Sequence, residues 1–264
     1  MSASVFRFVY DKRTGMFSSL QYNGKEYLNR PMEVTIWRAP TDNDRTIQHR
    51  WKAAHYHETY TRAYETRVEQ QEHLICLKSH VALLAPTVQR ILDMQIEWQI
   101  DEAGGIAVHF TAQKDPDFLE LPRFGVRLCL DHALEQVVYS GMGPQESYRD
   151  KHRGSSHGRY ESTVTAMHED YIFPQENGSH YHCAFVKVGE LKAEGTKPIS
   201  FNASYYTAQE LTEKMHNYEL EKSGHVIWHL DYGMSGVGSN SCGPELLKQY
   251  RLNEEKMHWE LVIG

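Results

Sequence analysis

Apolar and polar side chains alternate with a period of two through most of the chain. Leu92, Met94, Ile96, Trp98 and Ile100 interleave with Asp93, Gln95, Glu97 and Gln99. This predicts a strand with one dry and one wet face, because successive side chains of an extended backbone point to opposite sides. The pattern recurs at Phe6 and Val9 around Arg7; at Ile106, Val108 and Phe110; and at Phe124, Val126, Leu128 and Leu130. It returns at Ile199, Phe201, Ala203 and Tyr205; at Val226, Trp228, Leu230 and Tyr232; and at Met257, Trp259, Leu261 and Ile263. Turn signals such as Asn23-Gly24, Asp115-Pro116, Asn177-Gly178 and Ser223-Gly224 separate these runs and predict hairpins and meanders. Strand–helix alternation is missing, which disfavours parallel-sheet architectures. One short helix is predicted where Thr207-Ala208-Gln209-Glu210 reads as a capping box leading into Leu211 and the residues up to His216.

The expectation is an all-β fold: one large antiparallel domain over residues 1–264, built of two stacked sheets with a single short helix. Two segments, 39–60 and 141–176, lack clean periodicity and are rich in Gly, Pro, Asp, Asn, Arg and aromatic residues. Long ordered loops carry function more often than strands do.

Charge narrows the partners. The chain of 264 residues carries a formal net charge of −7 and no basic run, so it lacks the electrostatic footprint of nucleic-acid binding. No apolar stretch approaches the length of a membrane-spanning helix, and MSASVFRFVY lacks the basic-then-apolar order of a leader. A soluble, cytoplasmic chain is expected. Cys76, Cys129, Cys183 and Cys242 are widely spaced and form no CxxC pair, so reduced thiols are expected. Neither His55-x-His57 nor His180-x-His182 has the ligand spacing of a zinc site.

Four stretches concentrate candidate chemistry. In the run Trp37 to Arg45, residues Arg38, Asp42, Asn43 and Asp44 could meet a sugar or metal, or could pin the loop through Asx turns and ion pairs. In Gly141 to Asp150, the residues Glu146, Tyr148, Arg149 and Asp150 alternate carboxylate and guanidinium groups, with no strand–GxGxxG–helix context for a nucleotide. Phe173 to Gly178 offers a carboxylate and two amides suited to hydroxyl-rich ligands or to backbone satisfaction at a sheet edge. Gly233 to Pro244, with four glycines, is the most distinctive loop, and Ser239, Asn240, Ser241 and Cys242 are its candidate contacts. No GxSxG elbow occurs, and the carboxylates give no sign of the pairing a glycosidase acting alone would need.

Taken in order, RAPTDND, GMGPQESYRD, YIFPQENG, FNASYY followed by Glu210-Leu211, and GVGSNSCGP resemble the C-terminal domain of large bacterial β-galactosidases of the glycoside hydrolase 2 type. The opening FRFVYDKRTG and closing MHWELVIG resemble that domain's first and last strands, so the resemblance covers nearly the whole chain. It implies a two-sheet supersandwich similar to galactose mutarotases. It places the catalytic glutamates of a retaining hydrolase, with the Mg2+ and Na+ that the catalytic part uses, in a preceding barrel absent here; no cofactor is expected in this chain. The implied partners are a barrel-containing large chain or preceding domains, a β-galactoside such as lactose, and further copies in an oligomer, with apolar faces exposed where the barrel would sit. In one branch the loop matching residues 236–244 offers a tryptophan at the active-site mouth, where this chain has Cys242. A thiol removes the flat platform on which a sugar face stacks. The alternative is a self-sufficient sugar-binding or aldose 1-epimerase-like protein.

Overall fold

The computed structural model describes residues 5–87 and 89–264; the first four residues, which open the segment read above as lacking a leader, lie outside the described residues. The strands are β1 Phe6–Asp11, β2 Met16–Tyr22, β3 Lys25–Glu26, β4 Leu28–Thr35, β5 Tyr60–Gln70, β6 Leu74–Leu84, β7 Arg90–Asp101 and β8 Ile106–Lys114. They continue as β9 Arg123–Asp131, β10 Gln136–Gly143, β11 Ser156–Thr163, β12 His180–Val188, β13 Leu191–Ser204, β14 His225–Met234 and β15 Lys256–Ile263. Two short helices, α1 Ile47–Ala53 and α2 Ala208–Glu213, interrupt them.

Strands β1 to β3 form a small antiparallel sheet, and the other twelve form one large antiparallel sheet that forks at β13. Residues 193–195 of β13 pair with 261–263 of β15, and that arm runs on through β8, β7 and β6 to an edge at β5. Residues 200–204 pair instead with β14, which continues into β9 and β4. The fork has a local cause. Against β12, Phe185 faces Glu194 while Cys183 faces Ile199, so residues 195–198 leave the ladder as a bulge. Pro198 has no N–H to contribute, and a Cβ on Gly195 would lie 2.5 Å from the Lys197 carbonyl oxygen, so only glycine fits the turn-out.

The two arms press face to face. Phe124 of β9 meets Phe110 of β8 and Trp259 of β15 at ring-centroid distances of 6.4 and 6.3 Å. The small sheet covers one end, where Phe17 meets Trp98 edge-on at 5.0 Å and Trp98 Nε1 donates to the Gly15 carbonyl at 3.1 Å. The inward sets predicted from alternation, including Met94, Ile96, Trp98, Phe110, Val126, Leu128, Trp228 and Leu230, are all buried in one continuous core. The expected all-β, two-layer antiparallel architecture is present, with its layers joined through β13.

Helix α2 is the one expected, but only half of its capping box forms. Thr207 Oγ1 accepts from Glu210 N at 3.0 Å, while the Glu210 carboxylate accepts from Glu221 N at 2.8 Å. The helix stops at Glu213 because exposed Met215 continues no apolar stripe. Helix α1 falls inside the aperiodic segment 39–60: Trp51 is its only fully buried residue, and one anchor leaves no periodic signature. Strand β11, inside 141–176, lies at a sheet edge with mostly polar residues and gives no alternation.

Candidate functional site

The sequence motifs, scattered over two hundred residues, meet at one end of the fold and hydrogen-bond to one another. At the end of β4 the chain delivers Arg38 into the interior, fully buried. Its Nη2 donates to both Asp44 oxygens at 2.8 and 3.0 Å and to the Gly236 carbonyl at 3.2 Å, and its Nη1 donates to the Ser235 carbonyl. Asp44 also accepts from Thr41 N and Oγ1 at 2.9 and 3.1 Å, which closes the 3-10 turn over Asp42–Asp44. Asn43 donates to the Val237 carbonyl, and Asp42 N donates to Gln175 Oε1 at 3.1 Å.

From the other side, Asp150 accepts from Val237 N at 2.9 Å and Gly238 N at 2.8 Å. A Cβ at Gly236 would sit 2.3 Å from an Asp150 oxygen, so this approach requires glycine. Three motif side chains, Arg38, Asn43 and Asp150, therefore clamp the base of loop 236–244. Ser235, which sequence reasoning did not single out as a site residue, completes the clamp: buried, it donates to the Leu121 carbonyl at 2.7 Å and accepts from Leu252 N at 2.9 Å.

Glu146 ties the remaining motifs together. It accepts from Lys151 Nζ at 2.6 Å, Tyr171 Oη at 2.5 Å, Gly178 N at 2.9 Å and Tyr148 Oη at 3.2 Å. Burial alone would raise its pKa, but the bonds from Lys151, Tyr171 and Gly178 outweigh it and hold the carboxyl below its ordinary value. Glu176 N donates to the Ala39 carbonyl at 3.2 Å, and the Asn177 carbonyl accepts from Asn202 at 2.6 Å.

Beneath this cluster lies an ionic group that the sequence did not reveal. Buried Arg123 of β9 pairs with Asp231 of β14 at 3.1 Å and with Glu176 at 3.3 Å. Burial pushes Asp231 up to about 7 against the pull of Arg123, with the Glu176 charge adding to the rise. Burial likewise raises Glu176, opposed by Arg123 and Arg38. Neighbouring His229 is held well below its ordinary value by burial and by Arg123 and Arg127, so it is neutral. Alternation along β14 places His229 and Asp231 on the face expected to be wet, but β14 lies between β9 and β13 and is buried on both faces. Gly125 was the available signal: a Cβ there would meet the Leu230 carbonyl oxygen at 2.2 Å and Asp231 Oδ1 at 2.5 Å.

Two cavities flank the clamp. One of about 100 Å³ is lined by Arg38, Asp44, Arg50, Trp51, Ser239 and Asn240, among others. The other, of about 320 Å³, lies in the fork of β13 and takes Tyr148 and Arg149 on its wall. Of the remaining candidates, Asp42, Asn43, Glu146 and Asp150 line neither, while Ser241 and Cys242 stand exposed at the loop tip. Asn240, at φ 92, turns the tip outward through the left-handed region. Among the described residues, no group of three or more His, Cys, Asp or Glu gathers in a metal-binding arrangement, and no helix is long and apolar enough to cross a membrane.

Comparison with known proteins gives this geometry its context. A beta-galactosidase of Actinobacillus pleuropneumoniae is 44% identical over 260 residues, 98% of this chain and 26% of the relative. A beta-galactosidase of Staphylococcus xylosus is 33% identical over 260 residues, 97% of this chain and 26% of the relative. The chain thus spans about a quarter of the length of these curated relatives. A solved structure from Escherichia coli K12 assigned as an aldose 1-epimerase covers 98% of each chain at 8% identity, with a TM-score of 0.41. The family profile described as the beta galactosidase small chain matches residues 2–263. With that match running over nearly the whole sequence, the chain belongs to the beta-galactosidase small chain family.

Proposed function

We propose that this chain is a non-catalytic part of a cytoplasmic, oligomeric β-galactosidase of the retaining glycoside hydrolase 2 type, and that it completes one wall of the galactoside site. The observation that carries this reading is the contrast within loop 236–244. Its base is fixed by Arg38, Asn43 and Asp150, whereas Ser241, Cys242, Gly243 and Pro244 are exposed. A rigid base under a free tip suits a loop that presents side chains to a surface outside the chain. Ser239, Asn240 and Ser241 offer hydroxyl and amide groups to a sugar, and Cys242 offers a small apolar contact in place of an aromatic platform. Arg38, Asn43, Asp44 and Asp150 act on substrate only by holding that loop, while Asp42 and Glu146 hold the neighbouring segment 171–178.

The acid and nucleophile, with the Mg2+ and Na+ of the catalytic part, belong to the barrel-containing remainder of the enzyme. An apolar patch suits contact with that remainder. Ile172, Phe173, Met215 and Tyr218 are exposed, and Asn217 N donates to the Ile172 carbonyl at 3.0 Å, bringing the two segments together.

The test is hydrolysis of a chromogenic β-galactoside by this chain alone and after mixing with the remainder of the enzyme, with the mixture run on a sizing column. Activity and co-elution only in the mixture are expected; turnover by the chain alone would overturn the reading. In the reconstituted enzyme, Cys242→Trp and Cys242→Ala should change KM for lactose in opposite directions. Identical kinetics for both would remove the tip from the site.

A further inference from the structure

The fork of β13 leaves a stretch of sheet edge open, and the role proposed above makes no use of it. Strand β15 pairs with β8 from Lys256 to Ile263 but with β13 only from Leu261 to Ile263, because β13 turns out at the bulge of residues 195–198 and joins β14. Residues 256–260 therefore have a strand on one side alone. The ladder fixes which way their backbone groups point. Lys114 N donates to the Glu255 carbonyl at 2.7 Å, while Lys192 and Gly264, on the β13 side, exchange bonds at 2.8 and 3.0 Å. Residues of odd number along β15 thus bond to β8, and those of even number turn the other way, as an antiparallel ladder requires. Lys256 and His258 direct their N–H and C=O groups into the fork, where no strand stands opposite them among the described residues.

The outer edge at β5 is treated differently. Ala63 N donates to the Arg13 carbonyl at 2.7 Å and Thr66 Oγ1 to the Lys12 carbonyl at 3.3 Å, so residues 12 and 13 cap part of it. Open edges invite a further strand, and covering them is one way a fold prevents that. The edge in the fork has no such cover. Across from it, β14 follows β9 as far as Met234 but parts from β13 after Asp231.

The walls describe the strand that would fit. The fork opens as a cleft of about 320 Å³, with Tyr181, Tyr232 and Trp259 supplying apolar surface. Trp259 Nε1 is buried and has no acceptor among the described residues. Arg149 and Lys197 on the wall and Lys256 beside it form no ion pair among the described residues, whereas one of the two wall carboxylates, Glu260, lies 3.4 Å from His109. Only Glu254 then remains to balance three free cations, and the opening favours an acidic visitor.

We infer that the fork receives an extended segment of the remainder of the enzyme, apolar toward Trp259 and acidic toward Arg149 and Lys197, which pairs with Lys256 and His258 as an added strand. Such a segment has a source, since this chain spans only 26% of the length of its relatives. The inference rests on the proposed assembly with that remainder but not on the placing of loop 236–244.

The experiment is amide hydrogen exchange at single-residue resolution on the chain alone and on its complex with the remainder, isolated by sizing column. In the chain alone, Lys256 and His258 should exchange as open backbone while Met257 and Trp259 are protected. In the complex, Lys256 and His258 should slow by about a hundredfold or more. His258→Pro deletes the free donor without touching the β8 ladder and should weaken the complex about tenfold; His258→Ala, which keeps the donor, should not. Should His258→Pro unfold the chain, the exchange pattern of the unaltered protein decides. Failure to form any complex would overturn the proposed assembly and this inference with it. A complex in which Lys256 and His258 still exchange freely, or which a folded His258→Pro chain forms equally well, would overturn this inference alone. Protection that grows with the concentration of the isolated chain would give the edge to a second copy and overturn it likewise.

Discussion

Two buried arginines, Arg38 and Arg123, illustrate opposite ways of housing a charge without water. Arg38 faces one carboxylate, which it grips with two bonds from one nitrogen, and two backbone carbonyls that add dipoles without charge. Arg123 faces two carboxylates, Glu176 and Asp231, and neither Asp231 oxygen accepts a hydrogen bond among the described residues. The first arrangement is neutral, and both Asp44 oxygens are bonded, although Arg38 Nε has no partner among the described residues. The second holds one negative charge too many in a medium that resists it, and the excess appears as the raised Asp231 and Glu176 values. The difference teaches that the clamp on loop 236–244 is pinned by hydrogen bonds, whereas the layer beneath it is pinned by a charge balance that a proton can alter.

The strongest way to break this comparison is Arg123→Met, which strands two buried carboxylates. We expect a loss of about 3–5 kcal/mol in urea unfolding; a loss below about 1 kcal/mol would mean that the carboxylates had been neutral beforehand. Arg38→Met strands only Asp44, which keeps its two bonds from Thr41, and should cost about 3 kcal/mol. Unlike Arg123→Met, it should also speed hydrogen exchange at the amides of Val237 and Gly238.

The pH dependence sharpens the contrast. With its carboxyl raised to about 7, Asp231 binds a proton in the folded state that it does not bind unfolded, where its value is the ordinary one of about 3.9. Its contribution to stability is therefore full below about pH 4 and lost as pH rises to about 7. Between pH 5 and pH 8 the loss should be on the order of 2 kcal/mol, read as a falling Tm. Asp231→Asn should flatten that slope, and an unchanged slope would place the titration elsewhere. The smallest effect is expected of Thr41→Val, which removes one hydroxyl bond to Asp44 and should cost about 1 kcal/mol with no pH dependence.

Much of this architecture was legible in the sequence because strands wet on one face declare themselves. Trp98 and its alternating neighbours are an example, as are the inward residues of β8, β9, β14 and β15. What escaped did so for physical reasons. The pairing of Arg123 with Asp231 joins two strands far apart in sequence, and Asp231 falls on the polar side of the alternation along β14, so it reads as an ordinary solvent-facing charge although that strand is buried on both faces. Helix α1 hides because it buries one large residue, and β11 hides because an edge strand needs no apolar face. The motifs RAPTDND and GVGSNSCGP were visible as special; that Asn43 of one would donate to Val237 of the other depends on topology that no local pattern encodes.

Strand β15 carries a further consequence, one of timing. It is hydrogen-bonded between β8 and β13, so until residues 256–263 have been synthesised, two long strands of the same arm lack their shared neighbour. An arm whose middle strand is made after both of its partners cannot close progressively as the chain grows, and pairings this distant in sequence form slowly. During translation β8 would wait as an open edge, with residues 193–195 of β13 unpaired on that side, which makes the nascent chain, more than the finished one, the form most in need of protection from its neighbours.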